Sequence, residues 1–299
     1  MRKFWIGVLA LALVWPGLLK AEESKMETVS IEKLTGAKGA WNKDQTVFKV
    51  GFPRTEVKVT VDGNTLPPFM GLGTWAAFTP TKDGMTMVMG DNVLFQDEVN
   101  PVMSVALENG LDVTALHNHF FYDEPKVYFM HISGMGNPET LAKAVGKVYA
   151  KVHEIRAKHP DPASSFGHEA LPEKSSITAK PLEDIFGKPG MAQDGMFKVV
   201  FGRNTKMGED EFGADMGVNT WAAFMGSDDD AVMDGDFAMH ENEVTNVLKS
   251  LRKSGINIVA IHQHMTGDTP RIIFLHFWGR GKAGILAKAV MTALQFAKD

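Results

Sequence analysis

Residues 114–134 read TALHNHFFYDEPKVYFMHISG, and residues 259–279 read VAIHQHMTGDTPRIIFLHFWG. Each stretch is a pair of alternating segments joined by a proline-containing turn, with three histidines in the same places. Adding 145 to His117, His119 and His131 gives His262, His264 and His276. The same shift carries Gly90-Asp91 onto Gly235-Asp236, Glu98 onto Glu243, Gly110 onto Gly255 and Asp123 onto Asp268. Upstream, TWAAF at 74–78 returns at 220–224, and VFKVGFPR at 47–54 matches MFKVVFGR at 196–203, with offsets changed by loop length. Self-similarity at a fixed period marks a duplicated unit. The chain divides into a leader over 1–21, a first repeat over 22–158, a Pro/Ser-rich linker over 159–176 and a second repeat over 177–299.

Within a repeat the hydrophobic period alternates between that of a strand and that of a helix. Strands are expected at 47–52 and 75–78, then through MTMVMGD (85–91). A helix follows, with Asp97 as its N-cap, a stripe of Val99, Val102, Met103, Ala106 and Leu107, and Gly110 as terminator. The second repeat offers Asn242, then Val244, Val247, Leu248 and Leu251, then Gly255. Strands at 112–120 and 126–133 come next, and a helix opened by Asn137 and Pro138 closes the unit. The expected class is α+β, a tandem repeat of two β-β-β-α-β-β-α units packed as one pseudo-symmetric body. A single body is favoured because each half alone has a thin sheet to cover.

The first residues, MRKFWIGVLALALVWPGLLKAEESKM, combine a basic start, a short apolar run and a small residue at Ala21. That is the layout of a secretory signal peptide, too short to suit a membrane span. The expectation is cleavage after Ala21, a periplasmic or secreted protein, and no stable membrane insertion afterwards. The net charge is −5 with basic residues scattered, which argues against a nucleic-acid partner. There is no cysteine, so thiolate chemistry is excluded and histidine and carboxylate remain as transition-metal ligands.

Residues i and i+2 of a strand share a face, so His117 and His119 are expected to project together. A hairpin folded about residue 124 would set His131 opposite His117. Three imidazoles with an open fourth position suit a divalent transition metal, zinc first among them. The same argument applies to His262, His264 and His276. Between the copies Phe120 became Met265 and Tyr128 became Ile273, while the histidines stayed. Asp123 and Asp268 in the turns are candidates for a fourth ligand or a general base, although aspartate beside proline is also ordinary turn chemistry. Glu98 and Glu243 suit the first turn of a helix on dipole grounds. Arg54 and Arg203 read as surface charges or anion-binding groups, and Trp75 and Trp221 as core more than pocket wall.

DEVNPVMSVALENGLDVTALHNHFFYDEPKVYFMHISG and ENEVTNVLKSLRKSGINIVAIHQHMTGDTPRIIFLHFWGRG, each preceded by TWAAF, resemble the LppY/LpqO-like exported bacterial proteins. The resemblance covers nearly all of the mature chain. It implies export and a duplicated domain of unknown function, and it implies no reaction. The namesakes look like lipoproteins, whereas this chain has no cysteine to acylate. His-x-His followed after eleven residues by His is also similar to the three-histidine metal site of the plant and prokaryote conserved domain. Three readings follow: a metal-dependent hydrolase, a non-catalytic periplasmic metal binder, and a small-molecule-binding protein whose histidines line a cleft. The substrate or ligand is not specified by any of these residues.

Overall fold

A computed structural model of the protein describes residues 28–297. The segment read as a signal peptide lies outside the described residues. In the first repeat the main strands are β1 (Gly39–Asn42), β2 (Val47–Pro53), β3 (Gly73–Pro80), β4 (Thr86–Phe95), β5 (Asp112–His117) and β6 (Val127–Gly136). The second repeat supplies β7 (Met191–Gln193), β8 (Met196–Gly202), β9 (Asn219–Gly226), β10 (Ala231–His240), β11 (Asn257–His262) and β12 (Ile272–Gly281). All twelve form one sheet in the order β1-β2-β3-β4-β6-β5-β11-β12-β10-β9-β8-β7. The second half therefore mirrors the first about the central pair. There β5 meets β11 antiparallel, with Leu116 opposite Ile261. Alone, each half would leave this strand as an unpaired edge; joined, each covers the other's.

Six helices lie among the described residues: α1 (Thr28–Thr35), α2 (Gln96–Glu108), α3 (Pro138–Lys158), α4 (Ala179–Phe186), α5 (Val244–Lys253) and α6 (Ala283–Leu294). One apolar core runs through both halves. It joins strand residues such as Phe78, Leu116, Ile132, Ile261 and Phe277 to helix residues such as Val102, Val148, Leu248 and Val290. Alternation along the strands sets the other face free of helices. In β3, Thr74, Ala76 and Phe78 are buried while Trp75 and Ala77 are half-buried on the open face. The TWAAF motif thus serves both faces. Its threonine is spoken for: Thr74 Oγ1 accepts the Val93 N–H at 3.0 Å, and Thr220 Oγ1 accepts that of Ala238 at 2.9 Å.

The unit differs from the expected β-β-β-α-β-β-α by a leading helix, a leading short strand, and a small separate sheet of three short strands. Helices α1 and α4 have eight residues and two buried side chains each, too few to show a stripe in the sequence. Helix α2 begins at Gln96 rather than behind an Asp97 cap, and Glu98 accepts the Phe95 N–H at 2.9 Å. Helix α5 begins after Glu243, which accepts the His240 N–H at 2.8 Å, so Asn242 is not its cap. Asn137 does cap α3, accepting from the N–H groups of Glu139 and Thr140. Gly110 and Gly255 end their helices with φ of 81° and 76°, the left-handed conformation a helix stop favours.

Arg54 and Arg203 are not surface charges. They are 2 % and 5 % exposed. Arg54 grips Glu98 with two bonds of 2.9 Å, and Arg156 reaches the same carboxylate at 2.7 Å. Arg203 holds Glu243 at 2.5 and 3.2 Å. Each buried carboxylate thus ties the end of β2 or β8 to the start of a helix, a role beyond the helix dipole.

Candidate metal centre

The histidines converge on the open face, by a route that differs from the expected one. Strand β5 ends at His117, so His119 lies in the loop beyond it. Its ring stacks on Phe129, centroids 3.3 Å apart and planes 6° from parallel. The hairpin register sets His117 opposite Phe129 and His131 opposite Ala115, so His131 is diagonal to His117 rather than facing it. The two rings still meet, with Nε2 atoms 3.0 Å apart. The second repeat copies this arrangement: His264 stacks on Phe274 at 3.5 Å and 9°, and His262 lies 4.9 Å from His276 and 5.1 Å from His264, ring centre to ring centre.

A carboxylate that the sequence reading did not select lies beside the histidines of each repeat, and in the second it joins them. Across the sheet Asp91 pairs with His131 and Asp236 with His276. Asp236, His262 and His264 each offer a ligand atom within 4.8 Å of the others'. His264 Nε2 is 3.4 Å from Asp236 Oδ2. Asp236 Oδ1 and His262 Nε2 are buried without a hydrogen-bond partner, as is Asp91 Oδ1. His276 stands beside this group, its Nδ1 3.4 Å from the Gly235 carbonyl oxygen. In the first repeat the closest approach is the His117–His131 contact.

Burial dominates the electrostatics. It pushes the Asp236 carboxyl up to about 6, against the pull of His276. It also raises Asp91, against His131, His119 and His117 in turn. Burial lowers His119, His262 and His264, and neighbouring imidazoles lower all three further. An imidazole held below its ordinary range stays neutral at pH 7 and keeps a lone pair for a cation. Metal binding must displace protons from its ligands, so this tuning favours it. Asp236, His262 and His264 have the donor types of a zinc-class site.

The sequence candidates Asp123 and Asp268 each commit one carboxylate oxygen to their own turn and leave Oδ1 buried without a hydrogen-bond partner. Each is buried in its turn, where Asp123 Oδ2 accepts the Val127 N–H at 2.7 Å and Asp268 Oδ2 that of Ile272 at 2.6 Å. Small hairpins at 60–65 and 205–212 pair with these turns and hold them over Phe129 and Phe274. Trp75 and Trp221 lie directly across from Asp91 and Asp236 on the open face, so both flank the sites. Lys49 and Lys198 lie over these indoles, 4.0 and 4.1 Å from the ring centres. The doubled Gly-Asp dipeptide was the available signal for Asp91 and Asp236.

The chain matches the family model described as Domain of Unknown Function (DUF1259), over residues 29–151 and again over 180–296. It belongs to that family. The two matched segments are the two repeats. No curated protein matches it. Among solved structures, a trimeric bacterial microcompartment shell protein, PduB, is similar at 11% identity, covering 86% of this chain and 89% of that one. Its TM-score is 0.22. No helix among the described residues is long and apolar enough to cross a membrane.

Proposed function

We propose that the protein is an exported metal binder holding one divalent transition ion in each repeat, zinc first among the candidates. The ligand sets are Asp91, His117, His119 and His131, and Asp236, His262, His264 and His276. The observation that carries this is the Asp236–His262–His264 group, with its unpartnered buried atoms and its imidazoles biased to neutrality. The sets occupy neighbouring strand pairs, β5/β6 and β11/β12. The midlines of these pairs are two strand spacings, roughly 10 Å, apart. That exceeds the ~4 Å of a paired-metal site, so the ions are separate. The leader at residues 1–21 is the basis for export.

Activity is a second layer of the same proposal. A divalent ion here would act as a Lewis acid and lower the pKa of water toward 7, which suits a hydrolase. The half-buried, one-sided setting of the histidines leaves room for a substrate above the sheet. The non-catalytic alternative needs all four ligands of a set to close on the ion. Zinc titration by calorimetry separates one site from two. Wild type should take about two equivalents, and His117→Ala/His119→Ala and His262→Ala/His264→Ala should each take about one. Unchanged uptake in either double variant would place the ligands elsewhere, and loss of all zinc in one of them would mean a shared site.

A further inference from the structure

A cleft of about 600 Å³ opens where the two repeats meet. Strand β5 stops at His117, while the start of β11 runs on past it, leaving a gap beside Tyr128 of β6. One wall is the N-terminal turn of α2, pinned to β11 by Asn100. Its side chain accepts the Ile258 N–H at 2.7 Å and donates to the Ile258 carbonyl at 3.1 Å. The open-face residues His276, Trp278 and Asp234 of the second repeat form the floor. The linker closes the remaining side with Phe166, and a bond from the Ala163 N–H to Asp97 at 3.2 Å holds it there. The linker occurs once in the chain, so this wall of the cleft has no counterpart from the duplication.

The lining selects the sign of the charge it admits. No lysine or arginine faces the cleft. Asp97 is neutralised by Arg156, but Asp234 is exposed and makes no ion pair or hydrogen bond among the described residues. Trp278 sits directly across from Asp234 in the sheet. The nearby basic groups are committed: Lys198 to the face of Trp221, and Arg280 to Asp230 at 2.7 and 2.9 Å. A free carboxylate beside an indole, with Tyr128 and Phe166 opposite, attracts cations both through charge and through ring faces.

We propose that this cleft binds a small organic cation with an apolar or aromatic body, its ammonium at Asp234 and its body between Trp278, Tyr128 and Phe166. The proposal does not depend on a metal being held, although His276 makes the two sites neighbours. Phenethylamine and benzyltrimethylammonium are suitable probes, with 2-phenylethanol and phenylacetate as neutral and anionic counterparts of the same body. Titrations followed by tryptophan fluorescence and calorimetry would use the full mature chain, both EDTA-treated and zinc-loaded. Saturable binding of at least one cationic probe is expected with and without zinc, weakened about fivefold or more in Asp234→Asn and in Phe166→Ala. Both side chains are exposed, so neither variant should unfold the chain. The proposal fails if phenylacetate binds as well as the amines, or if Asp234→Asn leaves amine binding unchanged. It also fails if neither cation binds at about 10 mM, the weak end of specific recognition. Binding seen only with zinc present would transfer the ligand to the metal and likewise overturn it.

Discussion

Replacing Asp236 by asparagine should make the metal-free protein more stable near neutral pH while abolishing the response of the second site to metal. Asp236 is 4 % exposed, one of its oxygens has no hydrogen-bond partner, and burial holds its carboxyl at about 6 instead of 3.8. Below pH 3.8 the group is protonated in folded and unfolded chains alike, and it contributes no pH-dependent term. Between 3.8 and 6 the unfolded chain releases the proton first, so folding loses ground as pH rises. Above 6 the full cost stands. A shift of about two pH units corresponds to about 3 kcal/mol at most. An amide of the same shape removes the charge but still wants partners, so a net gain of about 2 kcal/mol is expected. For a chain this long that is roughly 4–8 °C in melting temperature.

The assay is a thermal melt in EDTA across pH 4 to 8, repeated with excess zinc. The variant should melt with wild type near pH 4 and above it from pH 6 upward. Zinc should stabilise wild type by more than it stabilises the variant, since only wild type keeps both sites intact. Burial-lowered His262 and His264 act in the opposite sense, withdrawing stability as pH falls below 6.5. The difference between the two proteins is therefore the quantity to read. A variant that melts below wild type across the whole range, or gains as much from zinc, would refute the reasoning.

Other consequences are measurable on the same material. Arg54→Ala leaves the buried Glu98 carboxylate short of its main cation and should cost about 3–5 kcal/mol by denaturant titration; a loss under 1 kcal/mol would return Arg54 to the surface. Zinc affinity should fall as pH drops from 7 toward 5, because protons then compete at Asp236 and at the histidines, and competition against a chelator reads this directly. Tyr122 holds φ of 59° with its side chain 81 % exposed, at the position the second repeat fills with Gly267. Tyr122→Gly should accordingly be neutral or stabilising by up to about 1 kcal/mol, and a larger loss in the denaturant midpoint would mean that the ring packs on the protein.

The duplication was legible because a fixed offset needs no structural knowledge, and the two ends of α2 and α3 that carry Gly110 and Asn137 behave as their residue types dictate. Local pattern placed His117 and His131 on one hairpin, but the i and i+2 argument for His119 did not hold, because the strand ends at His117 and His119 lies in the loop beyond. What failed was register. The count about residue 124 assumed an even hairpin, whereas the ladder slips by two and carries a bulge between Val113 and Ala115. Asp91 and Asp236 escaped notice because their meeting with the histidines depends on β4 lying next to β6, and β10 next to β12, a fact of strand order. The burial of Arg54 and Arg203 rests on partners 44 and 40 residues away, beyond any periodicity. Asp123 and Asp268 stood in the right motif, but their carboxylates hold the turn's own backbone. The meeting of β5 and β11 could be anticipated only in outline, from the need to cover two thin sheets.

Whether these carboxylate–histidine groups hold metal is decided by an anomalous-difference map at the zinc edge from crystals of the zinc-soaked mature protein. Two peaks of comparable height are expected on the open face, one touching His262, His264 and Asp236 and one touching His117, His131 and Asp91. Peaks confined to surface histidines such as His159 or His168, or no peaks at all, would contradict it.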